Sequence, residues 1–137
     1  QSTLAETLLT PTKLYVKPVL EVMNQFPVKA AAHITGGGLL GRSAKLIPEE
    51  LQGTLSLNID PEKYERLPVF DLIQKCGGIS NEEMSRTFNM GLGFILIVPE
   101  SVAATIVGSA NTEWMHVGNV QEQTTNQPLV NLGYAQA

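Results

Sequence analysis

Val28-Lys29-Ala30-Ala31-Ala32-His33-Ile34-Thr35-Gly36-Gly37-Gly38 is the stretch that decides how this chain folds. Residues 28–34 are short, small and apolar, the pattern of a buried strand. The glycines follow at once, and residues 39–46 read as a helix that Pro48 stops. Three glycines in a row are conformationally costly, about 0.5–1 kcal/mol each relative to Ala in a regular element. Between a strand and a helix they point to close approach of the backbone to a guest. A phosphate or another anion suits that place, because amide N–H groups at a helix start aim at it and the helix dipole favours negative charge. Thr35 adds a hydroxyl, and His33 stands at the strand end, where side chains line crevices. The alternative is a plain strand-to-helix turn with a histidine packed beside it. The stretch fits neither G-x-x-x-x-G-K-[ST] nor G-x-G-x-x-G.

Upstream, residues 1–10 form a lead-in segment. Tyr15, Val16, Val19, Leu20 and Met23 recur near the helical period. Pro18 is tolerated only in a first turn, so the regular helix is expected to begin around Lys17 and to end at Phe26-Pro27. Downstream, Leu55, Leu57 and Ile59 alternate with polar residues across 54–60, predicting a half-buried strand. Residues 68–76 predict a helix with Pro68 in its first turn and Gly77-Gly78 as its stop. Ser80 and Glu83 have capping-box spacing for a short helix through Arg86. A strand over 91–98, a helix over 99–107 and a strand over 114–120 complete the pattern. The tail after Gln121, rich in Gln, Asn and Thr, is weakly specified. Alternating helices and strands predict an α+β fold with a mixed sheet packed by helices. With no internal linker or repeat, residues 1–137 form a single domain, with a core of about 8–120.

Composition bounds the function. Hydrophobic residues make up 43% of the chain and charged residues 16%, with a net charge of −4, an ordinary globular balance. Lys and Arg total 9 and form no basic stripe, which argues against a nucleic-acid partner. The longest apolar stretch, residues 92–98, is far short of the ~20 residues of a membrane span. Cys76 is the only cysteine, so no intrachain disulfide can form. No signal peptide is read at the N-terminus. The acidic residues are scattered, and neither Asp60 nor Asp71 has a ligand partner at motif spacing, so no metal ligands are expected.

Thr87 and Asn89 offer compact polar groups beyond the short capped helix. They suit either ligand contacts or backbone hydrogen bonds in a turn. Arg86 can pair with a phosphate or with Glu83 one turn earlier. His116 reads as a sheet-face residue, Cys76 as a small core residue, and Trp114 as core or domain contact.

Ala32-His33-Ile34-Thr35-Gly36-Gly37-Gly38 resembles the alanine-histidine-x-threonine-triple-glycine segment of aminoimidazole ribonucleotide synthetases, also called phosphoribosylformylglycinamidine cyclo-ligases. Leu8-Leu9-Thr10-Pro11-Thr12-Lys13-Leu14-Tyr15-Val16-Lys17 resembles the start of that family's second, C-terminal domain. Glu83-Met84-Ser85-Arg86-Thr87-Phe88-Asn89-Met90-Gly91 resembles its arginine-threonine-phenylalanine-asparagine segment, and residues 114–120 its closing strand. The blocks run in order from about Leu8 to Val120.

The resemblance implies closure of the imidazole ring of formylglycinamidine ribonucleotide with ATP and Mg²⁺, giving aminoimidazole ribonucleotide, ADP and phosphate. Such chemistry rests mostly on positioning and on stabilising phosphoryl charge. It implies a catalytic or substrate-bonding role for His33, since histidine titrates near neutral pH. It assigns Thr35, Gly36, Gly37, Gly38, Thr87 and Asn89 to binding substrate or phosphate. It also implies a cytoplasmic enzyme, a homodimer when full length, whose N-terminal ATP and metal domain is absent here, so that this domain alone is expected to be inactive. Two alternatives stay open. One is a related ATP-using member of the superfamily, of the selenophosphate synthetase, thiamine phosphate kinase or amidotransferase type. The other is a non-catalytic phosphate- or nucleotide-binding module.

Overall fold

The computed structural model describes residues 3–109 and 113–134. Helix α1 (Leu4–Leu8) opens the chain, capped by Thr3, whose side chain takes the Glu6 N–H while the Glu6 carboxylate takes the Thr3 N–H. Thr3-x-x-Glu6 is thus a capping box inside the supposed lead-in. Helix α2 (Val16–Gln25) carries Pro18 in its first turn and buries Val19 and Val22.

Two sheets organise the rest. Strand β1 (Ala30–His33) pairs antiparallel with β3 (Phe94–Ile97), Ala30 opposite Ile97 and His33 opposite Phe94. Strand β2 (Leu55–Ile59) is the centre of a second, mixed sheet. It pairs antiparallel with β4 (Gly118–Glu122) and parallel with β5 (Val130–Asn131). Four helices fill the connections: α3 (Gly38–Ala44), α4 (Pro68–Gly77), α5 (Asn81–Thr87) and α6 (Glu100–Gly108). The fold is α+β with a mixed sheet, as expected, and the separate two-stranded sheet is an addition.

Local chemistry explains the helix limits. Pro68 starts α4, and Gly78 ends it in the left-handed conformation at φ 60°. The Ser80 hydroxyl accepts the Glu83 N–H at 3.2 Å at the start of α5. The core gathers Leu39, Met84 and Met90, all fully buried, with Ile34, Leu57, Ile59 and Ile95 around them.

Three differences from the sequence reading have physical causes. The strand expected over 114–120, β4, starts at Gly118. The last rung with β2 is Asp60 N–H to Val117 O at 2.8 Å, and the next residue due to face this strand, Glu62, gives its N–H to the Asp60 side chain at 3.0 Å instead, as the turn Pro61–Lys63 begins. The tail after Gln121 enters the core: Val130 and Leu132 are buried at 5% and 8% exposure, beside β2. Cys76 is exposed, because it lies in the last turn of α4, past Val69, Phe70 and Ile73, which meet the core.

Candidate functional site

The three glycines differ in role. Gly36 and Gly37 are exposed, whereas Gly38 is buried. Gly37 (φ 95°) and Gly38 (φ 62°) both occupy the left-handed region. A Cβ on Gly38 would stand 2.6 Å from the Arg86 carbonyl carbon and 2.7 Å from its oxygen, so α3 begins in direct contact with the backbone of α5. The amides divide likewise. Gly38 N–H donates to Thr35 O at 3.0 Å and Leu39 N–H to Phe88 O at 2.9 Å. No acceptor among the described residues takes the N–H of Gly36 or Gly37. The Arg42 guanidinium reaches back to Gly36 O at 2.8 Å and holds the loop from the far side. Gly38 is therefore a packing glycine whose N–H is already used, and Thr35, Gly36 and Gly37 form the open part of the loop.

His33 is exposed at the end of β1. Its ring lies 5.8 Å from that of Phe94, roughly stacked, and 5.5 Å from that of Tyr15, edge on. Tyr15 and Phe94 also touch, at 5.7 Å. Such aromatic pairs are worth about 0.5–1.5 kcal/mol beyond area burial, enough to bias the imidazole orientation. Tyr15 rests against Gly93, where a side chain would collide with its phenol. The sequence carries no local sign of this trio: Phe94 meets His33 only through strand register, and Tyr15 arrives from before α2.

The second predicted block lies beside the first. Thr87 ends α5, exposed, with its hydroxyl 3.5 Å from a Glu83 carboxylate oxygen. Asn89 is half-buried, and its side-chain oxygen accepts the Gly91 N–H at 3.0 Å, an Asx turn. Met90, fully buried, sits at φ 56° between them. A left-handed non-glycine residue held this way costs about 1–3 kcal/mol and persists only where its surroundings over-determine it. Here Gly91 packs on Glu65 O, and Leu92 N–H donates to Asn89 O. Phe88 O to Leu39 N–H on one side and Gly93 O to Ile34 N–H on the other tie residues 87–93 alongside the glycine loop. Thr35, Gly36, Gly37 and Asn89 are thus carried on two adjoining loops, with His33 and Thr87 at the ends of the strand and helix that lead into them.

Arg86 pairs with Glu82, four residues earlier, at 2.7 Å rather than with Glu83. On α5 the i,i+4 geometry brings the longer reach into line. The hydrogen bond that the guanidinium donates to Glu82, and then the Glu82 charge, hold it above its ordinary pKa. Behind the site, burial above all, and then the hydrogen bond with Tyr134, push the Tyr64 phenol well above the usual tyrosine range. His116 is exposed and precedes the β4 ladder. Among the described residues no three His, Cys, Asp or Glu side chains converge. No helix among the described residues is long and apolar enough to cross a membrane.

The family described as "AIR synthase related protein, C-terminal domain" matches residues 1–131. A phosphoribosylformylglycinamidine cyclo-ligase of Methanococcus maripaludis is 50% identical over 109 residues, covering 80% of this chain and 29% of the relative. That of Carboxydothermus hydrogenoformans is 48% identical over 99 residues, covering 72% and 27%. That of Methanopyrus kandleri is 44% identical over 122 residues, covering 88% and 33%. The chain spans no more than a third of the length of these curated relatives.

Proposed function

The chain belongs to the family of C-terminal domains of AIR synthase related proteins, and we propose from this that it is one wall of the active site of an ATP-dependent cyclo-ligase. The reaction closes the imidazole ring of formylglycinamidine ribonucleotide and yields aminoimidazole ribonucleotide, ADP and phosphate. The names of its relatives support a ligase of purine biosynthesis. One geometric observation carries the assignment of the site. The glycine loop and the Thr87–Asn89 loop, 50 residues apart in sequence, are joined by the Leu39–Phe88 hydrogen bond with His33 exposed at their edge.

ATP supplies the phosphoryl group that activates the amide oxygen for loss as phosphate. The free N–H groups of Gly36 and Gly37 and the Thr35 hydroxyl suit an anionic oxygen, and Thr87 and Asn89 suit the polar groups of the ribonucleotide. His33 bonds the amide or moves a proton during ring closure, its ring steadied by Tyr15 and Phe94. Mg²⁺ and much of the nucleotide site are assigned to an N-terminal domain in this reading. The full-length protein is a cytoplasmic homodimer in this reading.

The test is an assay of the full-length protein with formylglycinamidine ribonucleotide and ATP, following ADP and aminoimidazole ribonucleotide. His33→Ala and His33→Asn should lower kcat by about 10²–10⁴-fold. Near-normal turnover in either removes His33 from catalysis. A wild-type protein that makes no aminoimidazole ribonucleotide overturns the substrate assignment.

A further inference from the structure

The cleft between the two sheets is bordered by strand edges. It encloses about 990 Å³, with residues 91–98 on one side and residues 113–120 on the other. Antiparallel pairing makes alternate residues direct their backbone groups to opposite edges. Ile34 N–H to Gly93 O fixes the phase in β3, so Ile95 and Ile97 face β1. Phe94, Leu96 and Val98 then direct N–H and C=O groups away from β1. In β4, the Asp60–Val117 and Thr54–Gln123 hydrogen bonds set the phase. Val117, Asn119 and Gln121 face β2, and Gly118 and Val120 face away from it. Among the described residues β3 has only β1 as a neighbour, and β4 only β2.

Unpaired strand edges are templates for another strand. Two edges on one cleft, with apolar walls that include Leu57, Ile59, Leu92 and Ile106, specify the guest. It must be an extended backbone that bonds on both sides, with apolar side chains on both faces, like a central strand. A helix has already satisfied its own backbone and cannot meet these rows of donors and acceptors. Residues 114–116 fit the same picture: their sequence alternates like a strand, yet they precede the β4 ladder.

We propose that this cleft is a strand-acceptor slot, and that a segment from the remainder of a longer polypeptide fills it and joins the two sheets into one. The relatives supply the reason for choosing the same polypeptide. This chain covers 27–33% of their length, which leaves ample sequence for one strand of about 5–6 residues. The inference concerns assembly of the domain and does not depend on the ribonucleotide reading.

Residue-resolved amide hydrogen exchange on the full-length polypeptide tests it. A filled slot protects residues 94–98 consecutively, with Phe94, Leu96 and Val98 slowed at least about a hundredfold relative to unstructured chain. Alternation, slow at Ile95 and Ile97 but fast at Phe94, Leu96 and Val98, overturns the proposal. Protection that is lost on dilution to monomers assigns the strand to a second copy and also overturns it. Cross-strand nuclear Overhauser contacts in the same sample identify the guest. Contacts from Leu96 and Val120 to residues outside these 137 support the proposal, and direct contacts between β3 and β4 refute it.

Discussion

Replacing each of Gly36, Gly37 and Gly38 by alanine in turn separates three roles within one motif. At Gly36 the backbone is not left-handed and nothing lies within 4 Å of an added Cβ. Alanine there narrows the unfolded ensemble, so stability should stay level or rise by up to about 1 kcal/mol. Gly37 also faces open space, but at φ 95°. Its alanine variant should lose about 1–2 kcal/mol from the left-handed backbone alone. Gly38 carries that penalty and a collision at 2.6–2.7 Å with the Arg86 carbonyl group. The obstacle is backbone, so α3 and α5 must part. Overpacking adds about 1–3 kcal/mol, for a total of about 2–5 kcal/mol. That is a large share of the about 5–15 kcal/mol that holds a domain folded. Urea denaturation followed by circular dichroism gives the three values. Equal losses, or the largest loss at Gly36, would refute the reasoning.

Other expectations are independent of that series. Val130→Ala and Leu132→Ala should each destabilise by about 1–4 kcal/mol, since both side chains are buried; losses below 0.5 kcal/mol, about the surface level, would show that the tail does not pack as described. The folded state disfavours tyrosinate at Tyr64, chiefly through burial. Its contribution is therefore complete below the ordinary tyrosine pKa of about 10 and is lost as pH rises beyond it. Denaturation midpoints should fall above that pH in the wild type and fall less in Tyr64→Phe; identical slopes would exclude Tyr64 as the cause. In the full-length enzyme, Gly36→Ala should impair ATP or ribonucleotide use while leaving stability intact, and unchanged KM and kcat would argue against anion binding at that loop.

Much of the fold is written locally. Pro68 and Gly78 bracket α4, Ser80 caps α5, and the alternation of Leu55, Leu57 and Ile59 marks β2. What escapes is what depends on distant partners. Strand β5 has two residues and no period to detect, and it exists because β2 offers an edge. Strand β4 begins where β2 can still donate, a limit set by the turn Pro61–Lys63 that takes up the Glu62 N–H, and invisible in the sequence of residues 114–120. The Thr3–Glu6 capping box is a local signal too, written in the spacing Thr3-x-x-Glu6. For the site, the glycines and His33 announce themselves. Their adjacency to Thr87 and Asn89 does not, because it rests on a contact between Gly38 and Arg86 that no spacing reveals.

The pairing of Ala30 with Ile97 and of Leu57 with Val130 also governs how quickly the molecule is made. Every ladder in both sheets closes a long loop, so little strand structure can form before most of the chain is present. High contact order slows folding toward the millisecond-to-second range. Meanwhile Phe94-Ile95-Leu96-Ile97-Val98, a β-prone run without a charge or a proline, waits exposed. Expression at lower temperature should raise the soluble yield of this chain more than any change to its folded surface.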